Sequence, residues 1–139
     1  MKPNNLSEKI VKTMFDGDAF SKWLGIEVVE VKEGFCELNL VVREEMTNGF
    51  KIAHGGITYS LADSALAFAS NSHGRKSVSV ETSISHTKQC LVGDVITAKA
   101  IEKSISNKIA IYEITITNQK DETVALFKGT VYRTSKDWL

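Results

Sequence analysis

From Ile57 to Ser72 the chain carries one charged side chain, Asp63, within the longer run NGFKIAHGGITYSLADSALAFASNS at Asn48–Ser72. The residues favour a helix, and Ile57, Leu61, Leu66, Phe68 and a series of alanines fall around its whole circumference. The polar positions among them, Ser60, Ser64 and Ser70, are small. A helix that is apolar or small on every side is a buried one, and at roughly 18 residues with several serines it reads as a core helix rather than a membrane span. It is entered through His54-Gly55-Gly56. Two glycines allow close backbone approach, and the amide N–H groups of the first turn lie unpaired at the positive end of the helix dipole, where a carbonyl oxygen or an anion can bind. A lone carboxylate in such a helix costs several kcal/mol unless paired, and its pKa tends to rise. Asp63 is therefore either a hydrogen-bonded structural aspartate or a nucleophile or general base.

A chain of 139 residues has room for one ordinary core, so a single domain over 1–139 is expected. Lysine plus arginine and aspartate plus glutamate both number 17, so no net charge draws the protein to nucleic acid or to an anionic membrane. The first dozen residues carry charge and lack an apolar core of the secretory type, which predicts a cytoplasmic protein without a transmembrane segment. Cys36 and Cys90 are too few for a disulfide framework and read as packing residues. His54, His73 and His86 fall in no ligand pattern, so neither zinc nor iron is expected.

Leu6, Ile10, Met14 and Phe15 recur at helical spacing, with Asn5 or Ser7 as cap. They predict an amphipathic helix within an N-terminal helical segment, residues 1–24, broken near Gly17 and covering a sheet edge or groove. From Gly25 the period becomes two. Ile26–Val31 and Phe35–Val42 read as a hairpin around Lys32-Glu33-Gly34, with Cys36, Leu38, Leu40 and Val42 on its buried face. Arg43–Ala53 is a loop with a turn at Asn48-Gly49. After Gly74 come Ser77–Thr87, with Val78, Val80, Thr82 and Ile84 expected on one face, then Val95–Lys103, Lys108–Asn118 and Thr123–Arg133; residues 135–139 are expected to be a frayed tail. Strands of about ten residues against a usual five or six make a highly curved antiparallel sheet, and the apolar helix is the only element available to fill its concave side.

This order resembles the hotdog fold, an α+β architecture in which a curved antiparallel sheet wraps a long central helix. The motifs sharpen the likeness. Asn48-Gly49, His54-Gly55-Gly56, Leu61-Ala62-Asp63, Asn71-Ser72 before Gly74, Val92-Gly93-Asp94 and the stretch Val124–Gly129 together are similar to the phenylacetate-degradation, PaaI-like family of acyl-CoA thioesterases, over roughly residues 20–134. The resemblance implies that Gly55 N–H polarises the thioester carbonyl. It implies that Asp63 attacks it or activates water, that Asn48 orients the reacting groups, and that Ser79, or Thr82 as second choice, assists. His54 fits a turn-shaping role better than that of a base. With Gly56, Tyr59 and Thr82 it is carried as a substrate-binding candidate. Arg75 and Lys76 are candidate contacts for the CoA phosphates, at positions where relatives are often less basic.

Thioester hydrolysis needs a donor aimed at the developing oxyanion and a base or nucleophile on the other side of the carbonyl carbon, with no cofactor beyond the coenzyme A of the substrate. Gly55 and Asp63 lie eight residues apart, about 12 Å along one helix, and both must come within about 3 Å of one reacting centre. One subunit cannot arrange this. The expectation is a homodimer whose sites combine Gly55 of one chain with Asp63 of its mate, extending the sheet at an exposed edge, and assembling further as a dimer of dimers. Tyr59, Leu66 and Phe68 admit an aryl or a medium-chain acyl group. The competing readings are a non-catalytic protein that binds acyl-CoA or an aromatic ligand, and a dehydratase of the same fold, whose paired histidine and carboxylate His54 and Asp63 do not reproduce.

Overall fold

The charge-poor run forms one helix, and every strand of the molecule touches it. The computed structural model describes residues 5–139; the first four residues of the expected N-terminal helical segment lie outside them. The elements are α1 (Leu6–Asp16), α2 (Ala19–Trp23), β1 (Glu27–Lys32), β2 (Phe35–Val41), a 3-10 turn at Glu44–Met46, α3 (Gly55–Asn71), β3 (Arg75–His86), β4 (Val95–Ile105), β5 (Ile109–Thr117) and β6 (Thr123–Asp137). All strand pairs are antiparallel, in the order β1-β2-β4-β5-β6-β3. Six strands about 4.8 Å apart span roughly 24 Å, more than twice the width of a helix. Since α3 contacts all six, the sheet must curl around it, and this is the hotdog arrangement that the strand lengths and the apolar helix predict.

The helix is buried because its surface is made for it. Leu61, Ala62, Ala65 and Ala69 are wholly inaccessible and Leu66 and Phe68 nearly so, facing Cys36, Leu38, Ala98, Ile114 and Val131 across one continuous core. On β2 the alternation holds residue by residue, with Cys36, Leu38 and Leu40 inside and Glu37 and Asn39 half exposed. The N-terminal segment breaks at Gly17 as its composition implies. Asn5 Oδ1 accepts the Glu8 N–H at 2.9 Å, and α1 packs on α3 and on the edge strand β1.

The approach of α3 to β6 leaves no room for a side chain at Gly129. A Cβ there would lie 2.4 Å from Leu66 Cδ2. Gly129→Ala is therefore expected to cost about 1–3 kcal/mol through forced repacking, read as a lower midpoint in urea unfolding; an unchanged midpoint would mean that α3 and β6 are not held in this contact.

Two expectations are corrected. Residues 135–139 are not a frayed tail: β6 continues to Asp137, which pairs with Arg75. Beyond it, Trp138 N–H donates to Gly74 O at 2.9 Å and its indole N–H to Asn71 Oδ1 at 2.8 Å. Thr134-Ser135-Lys136-Asp137 shows no apolar alternation, because both faces of the strand are solvated there while the backbone still pairs. The second correction concerns β3, whose register shifts between Ser79 and Glu81. The bulge leaves Val78 and Val80 about three-fifths exposed. It also brings Ser79, opposite Val131, and Thr82, opposite Gly129, to the same helix-facing side, although strict alternation would separate them.

Candidate active site

At the start of α3 the local chemistry leaves one amide free. His54, the N-cap, accepts the Gly56 N–H on Nδ1 at 2.8 Å, a turn-shaping contact that occupies the Gly56 amide. Thr58 Oγ1 donates to Gly55 O at 3.0 Å. The Gly55 N–H has no acceptor among the described residues, as expected of a first-turn donor. The entry to the helix is fixed by His54 N–H to Met46 O and Ala53 N–H to Cys90 O, both at 2.8 Å. Asn48 lies in the same cleft as Gly55. Its Oδ1 is taken by the Phe50 N–H at 2.9 Å, in a turn that Lys51 completes at φ 66°. The amide nitrogen Nδ2 has no partner among the described residues and remains available as a donor.

Eight residues further along α3, Asp63 occupies a different cleft, together with Ser79, Lys76, Leu66, Val131 and Trp138. It is half-buried and, among the described residues, has neither a hydrogen bond nor an ion pair, so burial pushes its carboxyl above the usual carboxylate range. A structural aspartate would be hydrogen-bonded, and among the described residues Asp63 has no such bond. The Ser79 hydroxyl, on the helix-facing side of β3, is likewise unpartnered among the described residues.

The remaining candidates are distributed unevenly. Tyr59 and Thr82 are hydrogen-bonded to each other, hydroxyl to hydroxyl, and the Tyr59 ring packs edge-on against Phe127 with centroids 5.3 Å apart. Lys76 reaches the Asp63 cleft with its ammonium 4.9 Å from the Trp138 ring centroid. Arg75 is held elsewhere: its guanidinium donates to the Asn107 side chain at 3.2 Å and to the Asn107 carbonyl, at the β4–β5 turn. His86 and Thr58, which the sequence reading does not assign to the site, also line the Gly55 cleft, joined through Nε2 and Oγ1 at 2.7 Å. Parity was the available signal, since His86 shares the side of Thr82 and Ile84 on β3. Trp138 was hidden by the assumption of a loose tail. His73 sits at the far end of α3 against Glu33 and Glu102. No three histidine, cysteine, aspartate or glutamate side chains converge on a metal-sized site among the described residues, nor is any helix there long and apolar enough to cross a membrane.

A long helix wrapped by a six-stranded antiparallel sheet, with an amide at its start and a carboxylate two turns on that have no partner among the described residues, defines a protein of the hotdog type. The chain belongs to the thioesterase superfamily, whose family model matches residues 50–125. Within it the chain falls in the PaaI-like branch of thioester hydrolases. It is 38% identical to the acyl-coenzyme A thioesterase PaaI of Escherichia coli over 86% of each chain. The solved structure of the E. coli PaaI protein from the phenylacetic acid degradation operon superposes with a TM-score of 0.92 at 36% identity, covering 96% of this chain and 99% of that one. A hypothetical thioesterase of Streptococcus pneumoniae, solved with coenzyme A, matches at a TM-score of 0.84 and 25% identity over 90% of this chain and 98% of that one.

Proposed function

We propose that the protein hydrolyses acyl-CoA thioesters to free acid and CoA in sites built jointly by two subunits, with Gly55 N–H of one as oxyanion donor and Asp63 of the other as nucleophile or general base. The observation that carries this reading is the separation of the two groups, each unpartnered, in different clefts on one helix. Water supplies the hydroxyl of the acid, Asp63 takes up its proton in the base route, and the CoA sulfur leaves as thiolate when the tetrahedral intermediate collapses. Asn48 Nδ2 adds a second donor on the carbonyl side, and Ser79 lies beside the carboxylate to orient the attacking group.

The strand β3 supports the pairing. It is an open edge of the sheet and carries exposed Val78 and Val80, the kind of edge that a second chain covers. Ser79 lines the Asp63 cleft and His86 the Gly55 cleft, one toward each end of the strand. Antiparallel pairing of two β3 edges about a two-fold axis near Thr82 and Ser83 sets the Gly55 cleft of each subunit beside the Asp63 cleft of its mate. On the outer face of the sheet Ile101, Leu126 and Tyr132 are exposed, a surface suited to a dimer of dimers. Met14, Leu66, Val131 and Trp138 give the Asp63 cleft an apolar lining that suits an aryl or medium-chain acyl group, and Lys76 at its margin is the better placed of the two basic candidates for a phosphate. Two unpaired buried cysteines suit a reducing compartment, the cytoplasm.

Release of free thiol from short, medium, long and aryl acyl-CoAs tests the reading. Turnover of at least one class is expected, unchanged by EDTA; absence of release across the panel, or activity abolished by EDTA and restored by a divalent metal, would overturn it.

A further inference from the structure

Two consecutive glycines are a poor foundation for a catalytic amide, since each has more backbone freedom than any other residue. Something outside the helix has to hold the first turn, and the structure supplies it from β3. Thr58, one turn into α3, has a single hydroxyl hydrogen and directs it to Gly55 O at 3.0 Å. Its oxygen is then placed to accept from His86, whose Nε2 lies 2.7 Å away, an assignment that puts the imidazole proton on Nε2. The same ring packs against the glycine itself: a Cβ on Gly55 would lie 3.3 Å from His86 Cε1. His86 thus holds Gly55 at two points: by direct contact at its α-carbon, and through Thr58 on the carbonyl of the Gly55–Gly56 peptide, whose N–H His54 Nδ1 also accepts at 2.8 Å, so that the donor N–H of Gly55 is anchored from the α-carbon that follows it. Twenty-eight residues separate His86 from Thr58, so the clamp ties the donor to the sheet rather than to its own loop.

We propose that His86 is a positioning residue for the hydrolytic reaction, acting through Thr58 to aim the Gly55 N–H at the developing oxyanion; the inference rests on the reading of Gly55 as that donor. Loss of one oxyanion donor costs about 10²–10³ in turnover, and misplacement by about 1 Å can cost about 10². A donor left in place but poorly held should lose less, about 10- to 100-fold.

The test compares His86→Phe, His86→Gln and Thr58→Val by thiol release, with thermal unfolding of each and Gly55→Pro as a reference. His86→Phe keeps a flat ring against Gly55 but removes the donor, whereas the glutamine amide can donate at about the position of Nε2. The expected result is a kcat about 10- to 100-fold lower for His86→Phe with KM within about threefold, and recovery to within about threefold of wild type in His86→Gln. Thr58→Val should match His86→Phe, and the double variant should be no worse than either single one, because the two act as one unit. Wild-type kcat in His86→Phe, equal impairment of the Gln and Phe variants, or a loss confined to KM would overturn the proposal. Should His86→Phe not fold, His86→Gln and Thr58→Val decide by the same criteria: Gln near wild type with Val impaired upholds it, and any other pattern overturns it. Full activity in Gly55→Pro would overturn the reading of Gly55 itself, and the positioning role with it.

Discussion

Asp63→Asn is expected to lower turnover by a hundredfold or more, the scale for losing a catalytic base, and to leave the melting temperature at pH 7 unchanged or raised. Both halves follow from one observation. The carboxylate is half-buried without a partner among the described residues, and burial raises its pKa. A carboxyl whose pKa is higher in the folded than in the unfolded chain binds its proton more tightly when folded, so the folded state loses stability as pH rises from the ordinary carboxylate value through the folded one. At pH 7 the ionised Asp63 is thus a burden that asparagine relieves, and in acid, below the ordinary value, the advantage of the variant disappears. The required base has to be ionised, so the acid limb of the wild-type rate profile should lie above the ordinary carboxylate range. Unchanged turnover with a lower melting temperature would make Asp63 a structural residue.

Those parts of the candidate site that are local in the chain are legible in the sequence. Asp63 stood out because one charge in a helix of alanine, serine and leucine has no other place to be. The spacing from Gly55 to Asp63 is fixed by the helix rise, so the separation of the two groups is legible in the sequence alone. The buried face of β2 was legible for the same reason, a period of two uninterrupted from Cys36 to Leu40. What stayed hidden depends on contacts between distant segments. One extra residue in β3 changes which side chains face the helix without leaving any mark in composition, so strict alternation sets Val78 and Val80 on the face of Thr82 and Ile84. The pairing of β3 with β6 at the far edge, rather than with its successor β4, is set by a crossover through residues 87–94 whose backbone bonds reach Val124 and Ala53. His86 and Trp138 acquire meaning only through that pairing, His86 against Thr58 and Trp138 against Asn71.

Gly55→Pro is the second large effect expected. His54 has φ −59° and ψ 140°, a conformation that a following proline favours, and proline is at home in the first helical position, where its missing N–H costs the helix nothing. The ring meets the His86 side chain, which must yield by a few tenths of an ångström. The substitution therefore removes one donor from a helix that still forms, and turnover should fall by about 10²–10³. A Gly55→Pro protein that folds, dimerises and turns over like wild type would show that the free amide faces no oxyanion.

Each of these variants disables a different cleft, and mixing them measures whether a site belongs to one subunit or two. In a dimer of one Asp63→Asn chain and one Gly55→Pro chain, a shared-site arrangement gives one site with both lesions and one with an intact Gly55 from the first chain and an intact Asp63 from the second. Co-refolding the two inactive parents and isolating the mixed species through different affinity tags should therefore restore thiol release to as much as half the wild-type value per dimer. If folded mixed dimers form and stay as inactive as their parents, Gly55 and Asp63 do not meet across the two-fold axis, and the shared site is wrong.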